Sequence, residues 1–128
     1  MLMSARARTA AARPLSFPRA RRLRPPGEFK HVYNAGRRWA HEFFTVTAQP
    51  NALGGPRLGM AVAVRAMGSA VERNRVRRLI RESFRLQQGQ LPALDIVIAV
   101  RPTARGAAAA PLRASLDRLW ERLRAATI

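Results

Sequence analysis

Glu72-Arg73-Asn74-Arg75-Val76-Arg77-Arg78-Leu79-Ile80-Arg81-Glu82-Ser83-Phe84-Arg85 is the stretch from which the rest of this chain can be organised. Wound as a helix, it brings Val76, Leu79, Ile80, Ser83 and Phe84 onto one stripe that a core can bury. Asn74, Arg77, Arg78, Arg81 and Arg85 then point away, with Arg73 and Arg75 on the flanks. Ser69-Ala70-Val71-Glu72 fits a capping box, which starts the helix after Gly68 and leaves Arg73, Asn74 and Arg75 in its first turns. There the unpaired N–H groups and the helix dipole add to the side-chain charge. A charge run is usually a solvated face of mixed sign, but here six arginines meet two glutamates. Guanidinium stays charged at any working pH and grips phosphate with two parallel hydrogen bonds, so the pattern favours nucleic acid.

Composition agrees. The 128 residues carry 24 basic and 7 acidic side chains, a formal charge of +17 with Lys30 as the single lysine. A field of that size calls for a polyanionic partner. The length suits one small core with a tail. The chain has no cysteine, which excludes disulfides, thiolate zinc sites and cysteine nucleophiles and suits a reducing cytoplasm. No apolar run approaches the ~20 residues that span a bilayer.

Residues 1–27 contain no acidic residue and carry prolines at positions 14, 18, 25 and 26. An acid-free, arginine-rich start also resembles an organellar transit peptide. The prolines break an amphipathic helix, which favours a disordered basic arm over residues 1–20 followed by one RNA-binding domain over 21–128. Within that domain Glu28 to Ala35 reads as a helix closed by Gly36, and Arg37 to Ala40 as a short extended piece. Phe43 to Ala48 alternates, with Phe44 and Val46 on one face and Phe43, Thr45 and Thr47 on the other. Gln49 to Pro56 is a turn. Leu58 to Val64 reads as an apolar strand, central or buried on both sides, and Asp95 to Val100 as the clearest strand. A Gly/Ala linker leads to a last amphipathic helix with Pro111 in its first turn and Leu112, Leu116, Leu119, Trp120 and Leu123 inward. The expected fold is α+β: a two-layer sandwich of three helices on a mostly antiparallel sheet of three to four strands, in the order α-β-β-β-α-β-α.

No catalytic set emerges, since His31 and His41 stand apart from any acidic cluster with metal-ligand spacing. A ribosomal or other structured-RNA-binding protein shares this charge and size. A DNA-binding regulator is the other alternative, but a reading helix mixes Asn, Gln, Ser and Thr among its arginines to reach base edges. A wall of guanidinium suits the backbone better.

Arg73-Asn74-Arg75-Val76-Arg77-Arg78-Leu79-Ile80-Arg81-Glu82 resembles the signature of the bacterial ribonuclease P protein component, with Gly68-Ser69-Ala70-Val71 similar to its lead-in. Arg22-Leu23-Arg24 with Phe29 and Tyr33 resembles the family's opening, and Leu58-Gly59-Met60-Ala61-Val62 and Asp95-Ile96-Val97-Ile98 two of its strands. The likeness runs through about residues 20 to 124 in order.

That resemblance implies a cytoplasmic ribonucleoprotein that removes the 5′ leader from precursor tRNA. Its RNA subunit, with Mg²⁺ held mainly by RNA and substrate, carries the chemistry, one protein serving each RNA. It also implies a ribosomal-protein-S5-domain-2-like topology with a left-handed βαβ crossover, where handedness rules alone predict a right-handed one. Carried over residue by residue, Arg73, Asn74, Arg75, Arg77, Arg78 and Arg81 would contact the catalytic RNA. Phe29, Lys30, Tyr33, Arg37, Arg38, Thr45 and Thr47 would line a cleft for the single-stranded leader, aromatic faces stacking on unpaired bases. Ordinary core packing is the competing role for Phe29, whereas the hydroxyl of Tyr33 tolerates water. Three features depart from the pattern. Thr45 and Thr47 replace larger apolar side chains, Glu42 sets a negative charge beside the leader path, and Arg37 and Arg38 would compensate by gripping phosphates.

Overall fold

The computed structural model describes residues 21–24 and 27–126. The arm expected over 1–20 lies outside the described residues, as do Pro25, Pro26 and residues 127–128. In chain order the elements are α1 (Gly27–Ala35), β1 (Arg37–His41), β2 (Phe44–Pro50), β3 (Arg57–Ala61), α2 (Val64–Met67), α3 (Ala70–Gln87), β4 (Leu94–Val100) and α4 (Ala109–Ala125). Short 3₁₀ turns at Gln88–Gln90 and Pro102–Ala104 flank β4. The sheet order is β1-β2-β4-β3; β1 with β2 and β2 with β4 pair antiparallel, β3 with β4 parallel. The mostly antiparallel α+β sandwich is therefore as expected. The count of three helices is corrected to four among the described residues.

The additional helix comes from the far end of the apolar run at Leu58–Val64. The strand stops at Ala61, and Val64 starts the single turn of α2. A short apolar run cannot tell strand from buried helix by periodicity. Here the chain turns to bury Val62 and Met67 under the core on its way to α3. β3 is also an edge strand rather than a central one, yet Leu58 and Gly59 are buried, because Leu23 donates its N–H to the Leu58 carbonyl (2.8 Å) and covers that edge.

Register sorts the side chains between two layers. Val46 stands opposite Trp39 and Ile98, and Ile98 opposite Met60, all on the face packed by α3 and α4. Val76, Ile80 and Phe84 of α3 and Leu112, Leu116, Leu119, Trp120 and Leu123 of α4 complete that core. Ser83, placed on the apolar stripe, accepts the indole N–H of Trp120 at 2.7 Å, which explains a hydroxyl in that position. The other face presents Thr45, Thr47, Val97, Gly59 and Ala61, and over it lies α1 with Val32 and Leu23 in a second small cluster. β4 is covered on both sides, as its nearly unbroken apolar run requires.

Two glycines set the geometry near the functional surfaces. Gly36 donates to the Val32 carbonyl (2.7 Å) and closes α1. It does so without a left-handed φ; a Cβ there would lie 2.6 Å from that carbonyl and 2.9 Å from Thr47. Gly68 is left-handed (φ 87) between α2 and α3, with the Arg105 guanidinium 2.5 Å from the place a Cβ would occupy. Gly68→Ala is expected to cost about 1–2 kcal/mol from φ alone. The corresponding fall in melting temperature is roughly 4–8 °C per kcal/mol. Calorimetry showing an unchanged transition would contradict this cap.

Candidate nucleic-acid interface

α3 begins with one half of the expected capping box, the Ser69 half, since the Glu72 side chain does not reach back to Ser69. Ser69, extended at the N-cap, accepts the Glu72 N–H at 3.1 Å. The Glu72 carboxylate is directed to Arg75 (2.7 Å to Nη2) and to the Gly106 amide, and the Arg75 hydrogen bond above all holds its pKa below the ordinary carboxylate range. Arg75 also donates to the Ala107 carbonyl at 2.8 Å, which braces the start of α3 against the turn before α4. One signature arginine is thus structurally committed, while Asn74, Arg78 and Arg81 are exposed. Arg73 and Arg77 are half-buried, and the buried Nε of Arg73 finds no acceptor among the described residues.

The arginines of α3 form a ridge with two flanks. On one flank Arg77 and Arg81 meet Arg22, Phe29, Gly59 and Met60 around a pocket of about 230 Å³. On the other, Arg75 and Arg78 meet Arg113 of α4 beside Glu82. Arg22 and Arg113 were assigned to no site from sequence. Arg113 carries no local signal, because only the packing of α4 on α3 brings it to the ridge.

The second surface is built by α1, which crosses the sheet from β3 toward β2. At its start, Phe29 lies on Gly59, where a Cβ would come within 2.3 Å of the ring. Val32 is fully buried over Val97. At its end, Tyr33 is 47% exposed beside Arg38; burial raises its hydroxyl pKa and the Arg38 charge opposes that. Thr47 and Thr45 are buried below, opposite Arg38 and Ala40. Tyr33, Arg38, Thr45 and Thr47 therefore share one side of the sheet, with Lys30 exposed on the helix above.

Arg37 is not among them. Strand alternation turns it to the opposite face, where its guanidinium lies 5.1 Å from the Trp39 ring centre. Phe29 packs over β3 rather than β2, half core and half pocket wall, so the two aromatics of α1 serve different places. Glu42 sits exposed in the β1–β2 turn, its carbonyl accepting from Thr103 at 2.7 Å. His41 is joined through Nδ1 to Ser115 Oγ at 2.7 Å.

An ion network fastens α1 in place. Arg57 of β3 grips Asp95 of β4 with two hydrogen bonds (2.8 and 2.7 Å) and reaches Glu28 at 3.0 Å. Asn51 adds 2.8 Å to Asp95, and Glu28 also accepts the Arg24 N–H at 2.6 Å. Burial opposes ionisation of Asp95, but the Arg57 and Asn51 hydrogen bonds and the Arg57 charge outweigh it, so its pKa is lowered. Glu28 is lowered chiefly by the Arg24 amide, with Arg57 assisting.

Fold and surfaces together define a small basic α+β protein built to face a phosphate-rich partner. The family described as Ribonuclease P matches residues 17–124. Among relatives, the ribonuclease P protein component of Methylococcus capsulatus is 43% identical over 104 residues, covering 81% of each chain. That of Halorhodospira halophila is 45% identical over 109 residues, 84% of this chain and 89% of its own. The Staphylococcus aureus RNase P protein superimposes with a TM-score of 0.76 at 29% identity, covering 80% of this chain and 94% of that one. The chain belongs to the ribonuclease P protein family, the protein components of a tRNA-processing ribonucleoprotein (EC 3.1.26.5) whose RNA subunit carries the catalysis.

Proposed function

We propose that the α3 ridge docks on the ribonuclease P RNA while the cleft under α1 holds the leader of precursor tRNA. One protein serves each RNA, in the cytoplasm. The observation that carries this reading is the ridge itself: arginines concentrated on one face of α3, with Arg78 and Arg81 fully open to a partner. Tyr33, half-exposed beside Arg38, offers an aromatic face next to a phosphate-gripping cation.

Among the described residues no three His, Cys, Asp or Glu side chains converge as a metal cage. The donors here are guanidinium groups, which repel cations, so Mg²⁺ belongs with RNA and substrate phosphates. The protein's contribution is to neutralise backbone charge near those sites, which lowers the Mg²⁺ needed. Reconstitution tests this directly. RNA subunit plus protein should cleave precursor tRNA at lower Mg²⁺ than RNA alone, and protein freed of RNA should not cleave. Metal-dependent cleavage by RNA-free protein, or no shift in Mg²⁺ requirement, would overturn the division of labour.

The cleft has its own test. Tyr33→Ala should weaken precursor tRNA binding to the holoenzyme by about 1–3 kcal/mol, the value of one base stacked on an aromatic ring. Mature tRNA lacks the leader and should bind as before. Equal losses for both ligands would return Tyr33 to a structural role.

A further inference from the structure

The chain has only 7 acidic side chains against 24 basic ones, and it does not use them alike. Glu28, Glu72 and Asp95 each hold an arginine. Among the described residues Glu42, Glu82, Asp117 and Glu121 have no cation within ion-pair distance, and the last three stand together. Glu82 and Asp117 line a groove of about 300 Å³ along the outer seam of α3 and α4, and Glu121 follows Asp117 by one turn. Two like charges four residues apart on a helix are unfavourable until a cation joins them. The Ser83–Trp120 hydrogen bond (2.7 Å) closes the floor of the groove. Arg124 closes one end, its charge directed to the Gln87 Oε1 at 2.6 Å. Leu86, 59% exposed, stands at the rim, and Arg113 is the one cation among the lining residues described.

An acid-lined groove with an apolar rim, in a chain this basic, matches a cationic and partly apolar segment. The chain itself carries one. Residues 1–20 hold Arg6, Arg8, Arg13 and Arg19 with no acid, and Leu15 and Phe17 lie between the last two. The point where this segment joins the domain favours the match. Arg21 donates to the Pro56 carbonyl (3.5 Å), and the turn before Pro56 is tied to the start of β4 by the Asn51 N–H on the Ala93 carbonyl (3.0 Å). Residues 88–93 connect that same strand start to the end of α3, where Leu86 and Gln87 end the groove. Twenty extended residues reach up to about 65 Å, against roughly 35 Å across a domain of this size. We propose that residues 1–20 dock in this groove, with arginines on Glu82, Asp117 and Glu121 and with Leu15 or Phe17 against Leu86. Single exposed ion pairs are weak, but the tether supplies an effective concentration in the millimolar range. The contact keeps the arm's arginines on the protein rather than on a polyanion, and salt loosens it. It stands whether or not the RNA contacts proposed above do.

Because the chain has no cysteine, Ser16→Cys gives a unique place for a nitroxide label in the full chain. At low salt the label should broaden the amide signals of Glu82, Leu86 and Asp117 in ¹⁵N-labelled protein. Those of Lys30 and Asn34, on the opposite face of the sheet, should stay sharp. About 0.5 M salt, where the Debye length falls to about 4 Å, should restore most of the lost intensity. Glu82→Gln with Asp117→Asn, both exposed changes, should restore it at low salt without moving the melting temperature. Broadening that survives the double variant, or that centres on Arg77 and Arg81, would overturn the docking. No broadening at all would overturn it too and leave the groove to another protein's segment. A mixture of ¹⁵N chain without nitroxide and ¹⁴N chain with nitroxide detects the arm of a second copy. Sharp signals in that mixture support the intramolecular contact, and broadened ones would replace it with an exchange between copies.

Discussion

Arg57→Ala is expected to lower the stability of the folded chain by about 3 kcal/mol, the low end of the cost of breaking a buried ion pair by removing one partner. The low end applies because the Glu28 side chain is 39% exposed and screened, while Asp95, at 7%, is left buried without its cation. Chemical denaturation reads this directly, and a loss under about 1 kcal/mol would mean that water reaches Asp95 freely. The effect depends on pH in a defined direction. Both carboxyls have folded pKa values below their ordinary ones, so their stabilising contribution is complete above about pH 4 to 5, where the unfolded chain is also ionised. It is lost as pH falls through the folded values. The wild-type chain should weaken steeply in acid, and the gap between it and Arg57→Ala should narrow there. Because the same network anchors the start of α1, the variant should also weaken leader-dependent binding more than mature-tRNA binding.

Arg78→Ala combined with Arg81→Ala should reduce affinity for the RNA subunit by about 3 kcal/mol, roughly a hundredfold, if each guanidinium makes one charge-assisted contact. Both side chains are exposed and neither belongs to the apolar stripe, so thermal unfolding should hardly change. The distinguishing measurement is the slope of log affinity against log salt, which should become shallower by about 0.7 to 0.9 for each phosphate contact removed. Reduced affinity at an unaltered slope would point to a conformational effect. Unaltered affinity would make this face an ordinary solvated one.

Much of this was legible in the chain because independent signals agreed. The stripe Val76, Leu79, Ile80 and Phe84, the Ser69 cap and the arginine excess all locate the same helix, and each appears in the structure. The faces of β2 from Phe44 to Thr47 also followed, because a period of two leaves no freedom once one face is buried; Phe43, expected beside Thr45 and Thr47, instead precedes the strand and joins the main core. What stayed hidden was tertiary. The ionic anchor joins residues 28, 51, 57 and 95, which no local pattern connects. The role of Gly59 depends on a ring arriving from another element. Arg37 and Arg38 are neighbours in sequence and look equivalent, yet alternation sends them to opposite sides of the sheet. The split between Phe29 and Tyr33 arises because α1 runs across the strands, a crossing direction that helical periodicity does not encode.

Lys30 stands exposed on α1, and its ammonium is the single lysine amine of the chain. Nucleophilic amine chemistry is therefore confined to this point and the terminal α-amine, since guanidinium does not deprotonate in the working range. An amine-directed fluorophore or photo-crosslinker would attach at Lys30 without any engineered residue once the α-amine is blocked, reporting on whatever strand passes beneath α1 in the proposed cleft. The same scarcity means that acylation of lysine can alter only this helix, while the α3 ridge keeps its charge.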